Sequence, residues 1–543
     1  MSGEPDDDGS VVTRWGGATP RGDDGLDRPS DVPIIPTSKV GLVAPGLGHA
    51  TPPRSLTVRQ SVQGPVACGR RIGRHRRTIV RPREFNIGSG MIHLPRLALA
   101  TPATGPEPSL ASLACLAGLT ERRWRVQHFR SRACPFGTEA VGQVTGLPGR
   151  HLDAWLMPDE LCRRLFVRGT RQVDLALVEG TLDEVVASHA GPEYDHPGPL
   201  RPIVEALDLP VVALVDCQPR REFHLPRLPV GVDAVLLDRL EDPDDFECYR
   251  RMFSWTLKKP VLAAVEALPR VRAALHEAPR DRPLPDELLQ CLGSSFLKFA
   301  DLDAIRALAR SRSFSLPAAE PGPNRRCRRQ RIRVAYAQDE AFGAYFPDTL
   351  ETLEALGAEL VEFSPLRDET LPESIDLVMI GCGFPDLYAE ALAEIFSLIS
   401  ALRSHVCRGQ RIYSEGGGTA YLSRSMILDG RHVPGAGILP VVAERLQLPT
   451  SPNPVSRTLN RDTWLGPEGT VVRGYTGRWR MHPAADGLDC PASYGTLTSE
   501  GDIAFHYHAV GSLIHLHLGA LSEVVAAFAG PHQPSLISPL ARR

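Results

Sequence analysis

The sequence predicts an α/β protein made of two parallel-sheet units in tandem, and three observations carry that reading. Short, nearly uninterrupted apolar runs recur from about Leu94 to Ala309, as strands buried on both faces require. The stretches between those runs are long enough for crossover helices. A Pro- and Arg-rich break at about 314–330 then separates a second series with the same alternation.

In the first series, Leu97–Ala100 reads as a strand and Leu110–Leu119 as the helix after it. Val173–Val178, Pro210–Val215 and Ala234–Leu237 are further strand candidates. In the second, Ile332–Tyr336 is a strand, Thr349–Leu356 a helix ended by Gly357, and Leu360–Phe363 another strand. Ile375–Ile380 leads into a turn at Gly381–Gly383, and one long amphipathic helix is expected over Leu387–Arg403. The tail from about Pro449 mixes short strands and ends near Leu513–Leu518. The organisation expected is therefore an extension over 1–90, a domain over 94–313, a linker over 314–330 and a second domain over 331–530.

Composition bounds the function. At 543 residues the chain exceeds one ordinary domain, and 42% hydrophobic with 23% charged residues is usual for a globular protein. A net charge of −3 supplies no global drive toward nucleic acid, and no apolar run reaches the roughly 18 residues of a membrane span. Eleven cysteines without a C-x-x-C pair read as free thiols in a cytoplasmic protein. Residues 1–90 have no hydrophobic period, carry the acidic run Asp6–Asp8 and lack the apolar core of a signal peptide. Their basic cluster, Arg70–Arg77, reads as a solvated tail rather than a nucleic-acid surface, and Met91 is a candidate start of translation.

The segment Tyr413-Ser414-Glu415-Gly416-Gly417-Gly418-Thr419-Ala420-Tyr421-Leu422 reads as strand, tight turn and helix. That is the arrangement of a nucleophile elbow, which holds a reactive Ser or Cys on a strained turn. The segment resembles the Tyr-Ala-Glu-Cys-Gly-Gly-Leu-Met-Tyr-Leu signature of cobyrinate a,c-diamide synthases, with Gly416 where that family keeps its thiol. Other stretches resemble the same family: Thr145-Gly146-Leu147-Pro148, Leu152–Met157, Asp174–Gly180, Phe363–Glu369, Gly383–Glu390 and His515–Gly519. The similarity covers nearly all of residues 94–530.

The resemblance implies a P-loop, dethiobiotin-synthetase-like domain followed by a class I glutamine amidotransferase-like domain. It implies ATP and Mg²⁺ as cofactors, glutamine as amide donor and a tetrapyrrole carboxylate as acceptor, with a partner enzyme or a homodimer as further partners. Carried onto this chain, it puts Gly105, Ser109 and Glu179 at the nucleotide site, with Glu179 the metal contact or else an exposed strand-end carboxylate. Glu107 and Pro108 stand where the phosphate loop has glycine and lysine; a carboxylate there repels phosphate, and proline lacks the N–H donor. The loop Arg132–Thr138 lacks the family's two carboxylates, and Thr181–Glu184 replaces its next loop.

In the second domain His515 stands where the base would be, Gly383 and Gly417 in the oxyanion turn, and Gly416 at the missing nucleophile. Cys382 faces the elbow in this alignment and reads as an inert buried thiol, because no elbow geometry surrounds it. Period-two alternation would place His515 and His517 on one face, with His506 and His508 nearby, yet their spacing is not that of a metal site. The sequence therefore predicts a pseudoenzyme with a vestigial base, or else an amidoligase fed by free ammonia.

Overall fold

In the computed structural model the described residues run from Met91 to Phe528, apart from 93, 102–107, 134–138, 183–198, 218–227, 279–282, 316–331, 448–452, 484–493, 497, 499–500, 522–523 and 526–527. The extension with its basic cluster, Gly105, Glu107 and most of the Arg132–Thr138 loop lie outside them. The chain divides into Met1–Glu84 and a compact unit Phe85–Arg543, and all that follows concerns the latter.

The first half is organised on a seven-stranded, all-parallel sheet. Its order is Arg150–His151, Val126–Arg130, Leu175–Thr181, Arg96–Thr101, Val211–Asp216, Ala234–Leu240 and Val261–Glu266. Helices cover it, and Pro108–Glu121 packs on Asp286–Phe299 so closely that a Cβ on Gly118 would meet Phe296 at 2.6 Å. The predicted Val173 start moves to Leu175, and the first helix extends beyond Leu110–Leu119 at both ends.

The second half centres on a seven-stranded mixed sheet. Glu359–Phe363, Arg333–Ala337, Leu377–Ile380, Arg411–Glu415 and Ala509–Ser512 run parallel, and Ile503–His506 and Tyr494–Thr496 complete it antiparallel. Three expectations change. The single helix over Leu387–Arg403 is a 3₁₀ turn, Pro385–Leu387, followed by helices Ala389–Glu394 and Phe396–Cys407, broken where Ile395 leaves helical backbone at φ −86°, ψ 66°. The strand expected over Leu513–Leu518 is only Ile514–His515. The predicted linker begins instead with a strand, Phe314–Ser315, antiparallel to Met91–Ile92.

The two halves meet through a polar seam. Arg150 donates to Asp348 at 2.7 Å and also pairs with Glu351, while the Tyr475 hydroxyl donates to Asp153 at 2.7 Å. Burial raises both Asp153 and Asp348 above the carboxylate norm, Asp348 to about 6 despite the opposing pull of Arg150.

Candidate functional site

Register assembles the site. Ile380 pairs with Ser414 in parallel strands, so Gly381–Cys382 emerges from one strand end beside Glu415–Gly416 at the next. On the other side Glu415 pairs with Ser512, three positions before His515. The site thus lies at the carboxyl ends of neighbouring parallel strands, where such sheets place ligands. The Ser512 hydroxyl donates to Ile514 O at 2.8 Å and accepts the Ile514 N–H at 3.0 Å, which fixes the approach to the histidine.

The elbow is present in full backbone detail. Arg411–Glu415 is a buried strand, Gly416 adopts φ 48°, ψ −111°, and Gly417–Leu422 is a short helix. Gly416 N–H donates to Ser512 O at 2.8 Å, and Ala420 N–H donates back to Gly416 O at 3.1 Å. A positive φ of this kind strains any residue with a Cβ. Space is short as well: a Cβ on Gly416 would lie 2.5 Å from His515 Cε1 and 3.5 Å from Cys382 Sγ, so the ring would have to shift. The imidazole fills the volume that a nucleophilic side chain would need.

His515 is enclosed by glycines. A Cβ on Gly477 would approach its Nε2 to 2.6 Å, and one on Gly474 its carbonyl oxygen to 2.2 Å. Full burial lowers the imidazole to about 4. The oxyanion-turn glycines are equally constrained: a Cβ on Gly383 would lie 1.9 Å from Ala341 O, and one on Gly417 2.8 Å from Gly383 O.

Cys382, read from the sequence as an inert buried thiol facing the elbow, is buried and has its Sγ 2.6 Å from His515 Nδ1 and 3.8 Å from Glu415 Oε2. The ligand-capable atoms of these three buried residues all fall within 4.8 Å of one another. Glu415 Oε1 accepts the Tyr413 hydroxyl at 2.6 Å and the Leu516 N–H at 3.4 Å. Burial pushes this carboxyl up to about 7 against those hydrogen bonds. Sequence reasoning missed Glu415, although its place immediately before the elbow glycine marked it.

The histidines singled out with His515 do not join it. His517 follows the end of the strand, its ring centroid 4.6 Å from that of Phe346 and its Nε2 4.0 Å from Asp348 Oδ2. His506 Nδ1 bonds Ile438 O at 2.8 Å.

In the first half Glu179 is not the exposed strand-end carboxylate of one sequence reading. It is 2% exposed within Leu175–Thr181, and its Oε2 lies 2.9 Å from His128 Nε2. Burial would raise this carboxyl, but the bond and charge of His128 and the charge of Arg130 outweigh it and hold the group below its ordinary value. Ser109 lies in the first turn of Pro108–Glu121. Three other buried cysteines, Cys115, Cys162 and Cys217, are pushed up to about 12 by burial and have no comparable cluster among the described residues.

The open parallel sheet, the glycine elbow and the histidine beside it define a class I glutamine amidotransferase-like α/β protein. Residues 333–518 match the CobB/CobQ-like glutamine amidotransferase domain. The cobyrinate a,c-diamide synthase of Dehalococcoides mccartyi (strain ATCC BAA-2266) is 26% identical over 467 residues, covering 80% of this chain and 98% of that protein. Its namesake from Salmonella typhimurium is 27% identical over 392 residues, covering 69% and 84%. That from Syntrophotalea carbinolica is 26% identical over 455 residues, covering 80% and 98%. Over most of its length the chain is similar to cobyrinate a,c-diamide synthases.

Proposed function

We propose that this chain has kept the fold but not the glutamine-fed, ATP-driven amidation: for that reaction it is a pseudoenzyme. One observation carries the reading. His515 stands 2.5 Å from where a Cβ at position 416 would be, so the attacking group is missing and its place is filled. Amide transfer from glutamine needs a nucleophile next to its base, and the elbow supplies none. The first half points the same way, because Glu179, the carboxylate aligned with Mg²⁺ binding, is engaged by His128. An amidoligase fed by free ammonia would still need that metal contact.

What remains is a cleft of about 270 Å³ lined by Leu156 from the first half and Val471, Arg473, His517, Ala520 and Leu521 from the second. Arg473 suits a carboxylate arm of a tetrapyrrole. No described helix is long and apolar enough to cross a membrane. The cytoplasm is the proposed compartment, in keeping with cysteines that are free among the described residues.

The test is incubation of the full chain with glutamine, Mg-ATP and cobyrinate. The expected result is no ammonia release and no mass gain of the acceptor; turnover of either kind would overturn the proposal. Absorbance titration with a tetrapyrrole panel then asks whether the cleft still binds such a ring.

A further inference from the structure

We propose that Cys382, Glu415 and His515 form a binding site for a divalent cation of the zinc class. The donor set is a thiol sulfur, an imidazole nitrogen and a carboxylate oxygen, the three ligand types that zinc takes from proteins. Among the described residues this is the one trio of His, Cys and carboxylate whose donor atoms converge within 4.8 Å. All three side chains are buried, with Cys382 0% and His515 2% exposed.

The distances suit an ion between the donors. Zinc bonds of about 2.3 Å to sulfur and about 2.0–2.1 Å to nitrogen or oxygen place tetrahedral ligands roughly 3.3–3.6 Å apart. Cys382 Sγ and Glu415 Oε2 are already 3.8 Å apart, while Sγ and His515 Nδ1 are pressed to 2.6 Å, inside van der Waals contact. An ion would open that contact by about 1 Å.

The surroundings are those of a ligating carboxylate. The Tyr413 hydroxyl and the Leu516 N–H engage Oε1 and leave Oε2 toward the sulfur, the kind of outer hydrogen bonding that orients metal ligands. A cation also supplies the charge partner that a buried carboxylate and thiolate need. Catalysis by the thiol fits less well. Cys382 lies in a short buried strand with Gly383, paired antiparallel to Phe342–Ala344. The neighbouring void, lined by Glu415, Tyr345 and Gly381, holds about 10 Å³, the space of a single water and far below a substrate.

The experiment uses the full chain, stripped with chelator and titrated with Co²⁺ as a spectroscopic probe. One Co²⁺ per chain is expected, with a near-ultraviolet thiolate-to-cobalt charge-transfer band that Zn²⁺ abolishes. Cys382→Gly is expected to remove the band. Tyr413→Phe is expected to keep it while weakening affinity about 10- to 100-fold, as loss of an outer hydrogen bond does. Absence of the band in the unaltered chain would overturn the proposal, as would its persistence in folded Cys382→Gly. If that variant does not fold, unchanged Co²⁺ affinity in Tyr413→Phe has the same force. Ammonia release from glutamine that depends on Cys382 in the metal-free chain would assign the sulfur to catalysis instead. The proposed loss of elbow chemistry is judged separately, since the absence of metal binding leaves the glutamine assay as it was.

Discussion

Each sheet holds a buried carboxylate near the ends of its parallel strands, and the two are held by opposite means. Glu179 faces an imidazole, whose Nε2 lies 2.9 Å from Oε2. Glu415 is held by a neutral phenol at 2.6 Å, which secures one oxygen and leaves the other beside a sulfur and a second imidazole. In one half the carboxylate is engaged at one oxygen by a single imidazole. The other has kept its carboxylate within a set of converging donors. A buried carboxylate at a strand end can thus be held by a facing imidazole or stand beside a position that carries no side chain.

The largest expected effect comes from breaking the first arrangement. His128→Ala leaves Glu179 buried without its partner and should cost about 3–5 kcal/mol in urea denaturation. A loss below about 1 kcal/mol would show that the pair is incidental. In the second half Gly416→Ala meets both a positive φ and the His515 ring, and should cost about 2–4 kcal/mol. A neutral result there would mean that the imidazole moves freely, removing the contrast between a locked half and an emptied one.

The seam between the halves provides a finer scale. The Asp348 carboxyl stands at about 6 in the fold against an ordinary 3.8, so the folded chain holds that proton more tightly than the unfolded one. Its contribution to stability is present at low pH and is lost as pH rises from about 4 to about 6. Relative to Asp348→Asn, the unaltered chain should lose on the order of 2 kcal/mol across that window in paired denaturation curves. Parallel curves would sink the assignment. Smallest of all, Tyr475→Phe removes one hydrogen bond to buried Asp153 and should cost about 1–2 kcal/mol.

The strands were legible because a parallel sheet covered on both faces needs continuous apolar runs, and Leu175–Thr181, Val211–Asp216 and Ala234–Leu240 keep them. The elbow was legible because a run of three glycines between a β-prone and a helical stretch has few other uses. The broken helix at Ile395 was not, since neither glycine nor proline marks it and tertiary packing decides the break. Nor was the contact of Cys382 with His515, which are 133 positions apart and meet only through strand register. The His128–Glu179 pair was within reach: Arg130 pairs with Glu179 in parallel strands, so residue 128 shares its face two positions away.

The glycines around His515 set how any side chain at the elbow would be received. A side chain at position 416 would meet the ring at Cε1, while Gly477 lies on its Nε2 side and Gly474 against its carbonyl. A thiol placed at the elbow would therefore need ring and neighbours to shift together. The elbow position is thus part of a packed interior, and packing resists a side chain there whichever atom it would carry.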